Sequence, residues 1–171
     1  MEIRVVDFDV LTKNYTKYQD GMKNLTLVRE SFVRKMDPIK EEMEFIVKAA
    51  NSGLIVDPNK QQEQNAKFAE LQDKAMAIDN EYKVTIRNEQ DNLNKKTYEE
   101  LSTIITGWTE GKGIDLVMGK MEVVWASTQV EITNSILDIL KERNEYSEYK
   151  EETQTENVEN VENNVAVEDL R

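Results

Sequence analysis

The sequence predicts an α+β fold, mostly α: a long antiparallel helical hairpin standing on a small β body. Three observations carry this reading. Apolar residues recur every three or four positions over two long stretches, a Gly- and Pro-marked turn separates the stretches, and short β-prone runs lie at the outer ends. Composition agrees. Only 39% of the 171 residues are apolar, against about 45–50% in an ordinary globular domain. A chain with so little material for a spherical core is expected to be elongated.

The opening Ile3-Arg4-Val5-Val6 suits one short strand with Ile3 and Val5 on its buried face. Asp7 or Asp9 then caps a helix, because an Asp carboxylate accepts the free amide hydrogens of a first turn. From about Val10 to Ser52 the apolar and aromatic positions run Tyr15, Tyr18, Met22, Leu25, Phe32, Met36, Ile39, Met43, Ile46 and Ala50, with Arg29 at one seam site. That is a coiled-coil seam about 60 Å long. Pro38 is expected to kink it after Asp37 by removing a backbone donor.

Asn51-Ser52-Gly53 and Asp57-Pro58-Asn59 bracket a turn near 51–58, so the second helix returns antiparallel. Its seam reads Phe68, Leu71, Ala75, Ile78 and Tyr82, then shifts phase to Ile86, Leu93, Leu101, Ile104 and Trp108. Between Arg87 and Lys96 Leu93 is the lone apolar residue, and that section is expected to pack weakly. Residues 10–109 thus form the arm.

Gly107 and Gly111-Lys112-Gly113 end the arm. Ile114 to Met118 and Met121 to Ala126 flank Gly119-Lys120, which reads as a β-hairpin with a Gly-first turn. Thr128-Gln129-Val130-Glu131 fits a capping box for a closing helix, with Ile132, Ile136, Ile139 and Leu140 on its inner face, fading by about Arg143. Residues 1–9 and 110–144 therefore make the body. Trp108 and Trp125 read as core packing where arm and body join. Residues 145–171 hold nine acids against Lys150 and Arg171, a net of −7, and are expected to be a disordered acidic tail.

The same composition excludes whole classes of chemistry. With no Cys and no His there is no disulfide scaffold, no Cys/His zinc site and no His-based acid–base catalysis. A net charge of −12 argues against nucleic acid as a partner. Asp7-Phe8-Asp9 reads as strand alternation and capping rather than a metal pair, and Gly111-Lys112-Gly113 lacks the phosphate-loop spacing. No enzyme and no cofactor are expected. The sequons at Asn14 and Asn24 read as chance matches. No run approaches the roughly 18 apolar residues of a membrane span, so no membrane insertion is expected. No signal peptide is visible at Met1; the expected compartment is the cytoplasm if the numbering is native and the periplasm if an export signal was removed.

The order of elements over about residues 3–142 resembles the Skp/OmpH family of holdase chaperones. The residues that carry the resemblance are Ile3-Arg4-Val5-Val6-Asp7 with Val10-Leu11 and Tyr15, then Ile114-Asp115-Leu116-Val117, Val123-Val124-Trp125-Ala126, and Glu131-Ile132-Thr133 with Ile136 and Leu140. The resemblance implies a jellyfish-like homotrimer: strands of three subunits build the body, and three tentacle-like hairpins surround a cavity that holds unfolded outer-membrane proteins without ATP. This chain departs from the family in its acidity. Glu131-Ile132-Thr133 also stands where the family usually has Asp-Ile-Thr, which moves the expected cap back to Thr128.

The residues assigned to the trimerisation body are Ile3, Val5, Leu116, Val117, Val123, Trp125, Ile132 and Ile136. Lone edges of short strands invite such partners. Leu27, Phe45, Met76 and Val84 fall off the seams and read as cavity-wall contacts for unfolded or partly folded clients. The bland reading is that they are scattered exposed apolar residues, common on any surface. A second function fits the same scaffold: a non-catalytic trimeric spacer or assembly protein, for example a phage assembly factor, to which the negative charge and acidic tail point.

Overall fold

The computed structural model describes residues 1–53 and 56–150, so most of the expected acidic tail, from residue 151 onward, lies outside the described residues. The chain begins with strand β1 (Ile3–Val6) and the short helix α1 (Phe8–Lys13). Asp7 caps α1, accepting the Val10 N–H at 3.1 Å. The arm consists of α2 (Thr16–Asn51) and α3 (Pro58–Thr109). Strand β2 (Leu116–Gly119), a 3₁₀ turn (Lys120–Glu122) and helix α4 (Thr133–Glu142) complete the body. The architecture is mostly helical with a small sheet.

The sheet differs from the expected hairpin. β1 pairs with β2 in parallel, Ile3 opposite Leu116 and Val6 opposite Gly119. A parallel pair needs a long crossover, and the whole arm supplies it. Gly119 lies at φ −68°, ψ 140°, whereas a Gly-first hairpin turn requires positive φ there. The chain therefore runs into the 3₁₀ turn instead of reversing. Val123 to Ala126 does not form a strand, and Trp125 is exposed rather than packed at the join. Trp108 does pack against the core.

The other edge of β1 is also taken. Val5 N–H donates to the Val130 carbonyl at 2.9 Å, and Ile132 N–H donates to the Val5 carbonyl at 2.9 Å. This strand-like use of residues 130–132 displaces the expected capping box. Thr128 to Val130 form a turn, α4 starts at Thr133, and the Glu131 carboxylate accepts from the Lys120 ammonium at 2.9 Å. With both edges paired and both faces covered, Val6 is buried along with Val5, while Ile3 is only half-buried.

The helix expected from Val10 is interrupted. Asn14 and Tyr15 leave helical geometry between α1 and α2, and Tyr15 pairs with Tyr146 in an antiparallel bridge. α4 ends on Asn144 in the left-handed region, φ 56°, where Glu145 N–H reaches back to the Leu140 carbonyl at 2.8 Å. Beyond it the chain does not leave the body at residue 145. Thr16 N–H donates to the Glu145 carbonyl at 2.9 Å, Ser147 N–H to the Asn14 carbonyl at 3.0 Å, and Tyr149 N–H to Asn14 Oδ1 at 2.8 Å. Glu145 to Tyr149 is thus a strap across the root of the arm.

Along the arm, Leu25, Phe32 and Leu71 are buried between the helices, and Phe32 meets Tyr82 edge-on at 5.4 Å. α2 continues through Pro38, which sits on an exposed part of the helix. The section expected to be weak has one close contact. Gly21 leaves room for Leu93, whose Cδ1 stands 2.3 Å from where a Cβ on residue 21 would lie. Next to it, the Gln90 amide donates to Met22 Sδ at 3.9 Å, and Thr97 is buried in the seam. Glycine mid-helix costs about 1 kcal/mol relative to Ala; here it lets two polar-lined helices approach.

Candidate interaction surface

Charged residues of the body close and cap its own elements. Lys112 in the Gly111-Lys112-Gly113 turn donates to the Trp108 carbonyl at 2.6 Å and lies over the Trp108 ring at 4.8 Å, so it closes the end of α3. Asp7 caps α1 and pairs with Lys120 at 3.7 Å. Among the described residues no three acidic side chains converge as metal ligands would.

The root of the arm is fixed by a charged cluster. The buried Tyr15 hydroxyl donates to Glu100, and Lys17 bridges Glu100 at 3.2 Å and Glu145 at 3.1 Å. Arg143 approaches Glu145 at 3.3 Å from the other side. Burial, with the Glu100 carboxylate next, pushes the Tyr15 hydroxyl up to about 12. The hydrogen bond from Tyr15, reinforced by Lys17, holds Glu100 below the usual carboxylate range. Glu145 does most to raise Lys17, followed by Tyr15 and Glu100. The cluster joins the base of α2, α3 and the strap where the arm meets the body.

A carboxyl held below its unfolded value stabilises the fold above about pH 4.3 and loses that contribution as pH falls through its folded value. Glu100→Gln is therefore expected to lower the melting temperature at pH 7, with the gap to the parent closing below about pH 4. Thermal unfolding from pH 3 to 7 measures this. A gap independent of pH would show that Glu100 acts only through shape.

The four off-seam apolar residues are all exposed, Phe45 the most at 70%. Leu27 and Phe45 are five helical turns apart and share the face of α2 turned away from the seam. Met76 and Val84 stand on the outer side of α3. Phe32 opposite Tyr82 and Lys35 opposite Glu81 fix the register, which puts Leu27 and Val84 at nearly the same height. Phe45 and Met76 lie further out, about 10 Å apart in height. Within one chain the four do not converge on a pocket; they dot two outer faces. Val33, Val47 and Tyr98 are exposed as well and were not singled out from sequence. For Tyr98 the signal was available, since it falls off the seam beside Thr97 and Leu101.

The residues assigned to the body divide into two sets. Val5, Ile132 and Ile136 are buried in the chain's own core, and Ile3, Val117 and Val123 are half-buried. Leu116 and Trp125 are exposed, Trp125 at 79%, and with them Met121 and Val124. The body thus has a complete core of its own and, beside β2, a run of exposed apolar side chains.

Over residues 2–140 the sequence matches the family described as outer membrane protein (OmpH-like). No curated protein matches it significantly. Six solved chains do. One, described as a candidate outer membrane chaperone (OmpH-like) from Caulobacter crescentus CB15, is similar with a TM-score of 0.66 at 15% identity, over 86% of this chain and 88% of that one. At that identity the likeness is one of fold.

Proposed function

Because the chain belongs to the OmpH-like outer membrane protein family, we propose that it is an ATP-independent holdase chaperone, a homotrimer that holds unfolded or aggregation-prone proteins between its arms. The observation that carries this reading is the exposure of Leu27, Phe45, Met76 and Val84 on a long two-helix arm. A globular enzyme has no use for an arm of about 50 Å dotted with solvated apolar side chains. A holdase does, because many weak apolar contacts retain a client without fixing its structure. No helix among the described residues is long and apolar enough to cross a membrane.

The test is suppression of aggregation of a chemically unfolded protein in the absence of nucleotide. No suppression at several-fold excess of the trimer would sink the reading. A single folded partner captured stoichiometrically in pull-downs would favour the spacer or assembly role instead. Within the holdase reading, Phe45→Glu is expected to weaken capture about fivefold, the loss of roughly 1 kcal/mol of apolar contact. Helicity by circular dichroism should not change, since Phe45 touches no seam. Unaltered capture would remove Phe45 from the cavity wall.

A further inference from the structure

Charge is unevenly distributed along the arm. The proximal segments 18–35 and 81–98, which face each other in the hairpin, hold eight Lys and Arg against five Asp and Glu, a net of +3. The distal arm, 36–80, holds five against nine, a net of −4. Over the positive part and as far as Met76 in the distal arm, α3 presents a second stripe besides its seam. Met76, Val84, Arg87, Asp91, Lys95 and Tyr98 follow helical spacing along one face, and all six are exposed. The stripe runs down to the body, where Tyr98 stacks on Phe8 at 5.1 Å.

The strap determines what can reach this stripe. It holds Glu145 to Tyr149 against Asn14 and Thr16, so the last 21 residues, 151–171, start at the root of the arm. That segment carries seven acids and one base, a net of −6, with Val158, Val161 and Val165 among them. Extended, 21 residues span up to about 70 Å, whereas Tyr98 to Met76 is about 33 Å along the helix. Tethering keeps the segment at about millimolar effective concentration. Its charge directs it to the positive proximal arm and away from the negative distal one.

We propose that the acidic C-terminal segment 151–171 docks on the α3 stripe between Val84 and Tyr98 of its own chain, its valines on the apolar side chains and its acids on Arg87 and Lys95. Docking there makes it a built-in competitor for clients. The competition rests on the holdase reading; the docking does not.

The chain has no Cys, so disulfide trapping in the full-length protein reports the docking directly. Asn163→Cys is paired in one variant with Asn94→Cys, on the stripe, and in another with Asn24→Cys, exposed at similar height on α2. The intrachain bond to residue 94 is expected to close about tenfold faster than the bond to residue 24. Adding Arg87→Glu and Lys95→Glu, or about 1 M salt, should abolish the difference. A rate at 94 no higher than at 24, whether the segment wanders or a second copy covers the face, overturns the docking. So does an excess that survives charge reversal, or a bond that joins two chains instead of closing one. No client is present, so the result stands apart from that of the aggregation assay.

Discussion

Leu101→Ala is expected to cost about 2–5 kcal/mol of folding stability, the range for a buried leucine that leaves a cavity. For a chain of this size that is about 2–4 °C of melting temperature per kcal/mol. Leu101 is 0% exposed and belongs to one cluster with Val6, Leu11, Tyr15, Ile104, Ile105, Ile132, Ile136 and Leu140. These residues come from the strand, three helices, the α1–α2 junction at Tyr15 and the segment before α4, so no single element can close over the gap. The contrast is Leu93→Ala. Leu93 is half-buried in the space that Gly21 leaves, so truncating it removes less buried apolar surface. Its cost is expected to be about 1 kcal/mol or less. Urea unfolding of both variants measures the ratio. Equal losses would mean that the arm, not the body, limits stability.

That contrast also shows which parts of the fold the sequence could reveal. Seam positions such as Leu25, Phe32, Leu71 and Leu101 follow from spacing alone, because a helix pair has only one way to bury a stripe. Asp57 and Pro58 marked the start of α3 for a local reason, the Asp57 carboxylate accepting the Asn59 N–H at 2.9 Å. What failed was pairing between distant segments. Val123-Val124-Trp125 has strand composition, but β-propensity records how well a side chain fits a half-buried pleated surface, and in one chain no surface is offered there. The first strand found partners more than 100 residues away, in 116–119 and 130–132, and no local pattern encodes that choice. The Tyr15, Lys17, Glu100 and Glu145 cluster was invisible for the same reason. Exposure of Leu27, Phe45, Met76 and Val84 was legible, since each breaks a seam. What they contact was not, because the four face outward from one chain.

The exposed run beside β2 is where the largest functional effect is expected. Met121, Val124 and Trp125 are more than three-quarters exposed and follow closely in sequence on β2, whose outer edge pairs with no strand among the described residues. Strand-forming residues with no strand to join, beside an open edge, are the pattern of a surface completed by another copy. In the proposed trimer each copy lends this run to its neighbour once. Val124→Glu with Trp125→Glu places two carboxylates in each of three contacts. Truncating a buried aromatic anchor alone costs about 2–4 kcal/mol per contact, and charge burial adds to that. Light scattering of the parent is expected to give three times the 19.9 kDa chain. The double variant should fall to one chain mass at the same concentration, with unchanged helicity because neither side chain touches the core. Capture should fall with it, and further than for Phe45→Glu, since separate arms no longer enclose a cavity. A parent that is already monomeric refutes the trimer. A variant that remains trimeric places the contact elsewhere on the body, and one that is monomeric yet captures fully shows that single arms, not a cage, hold the client.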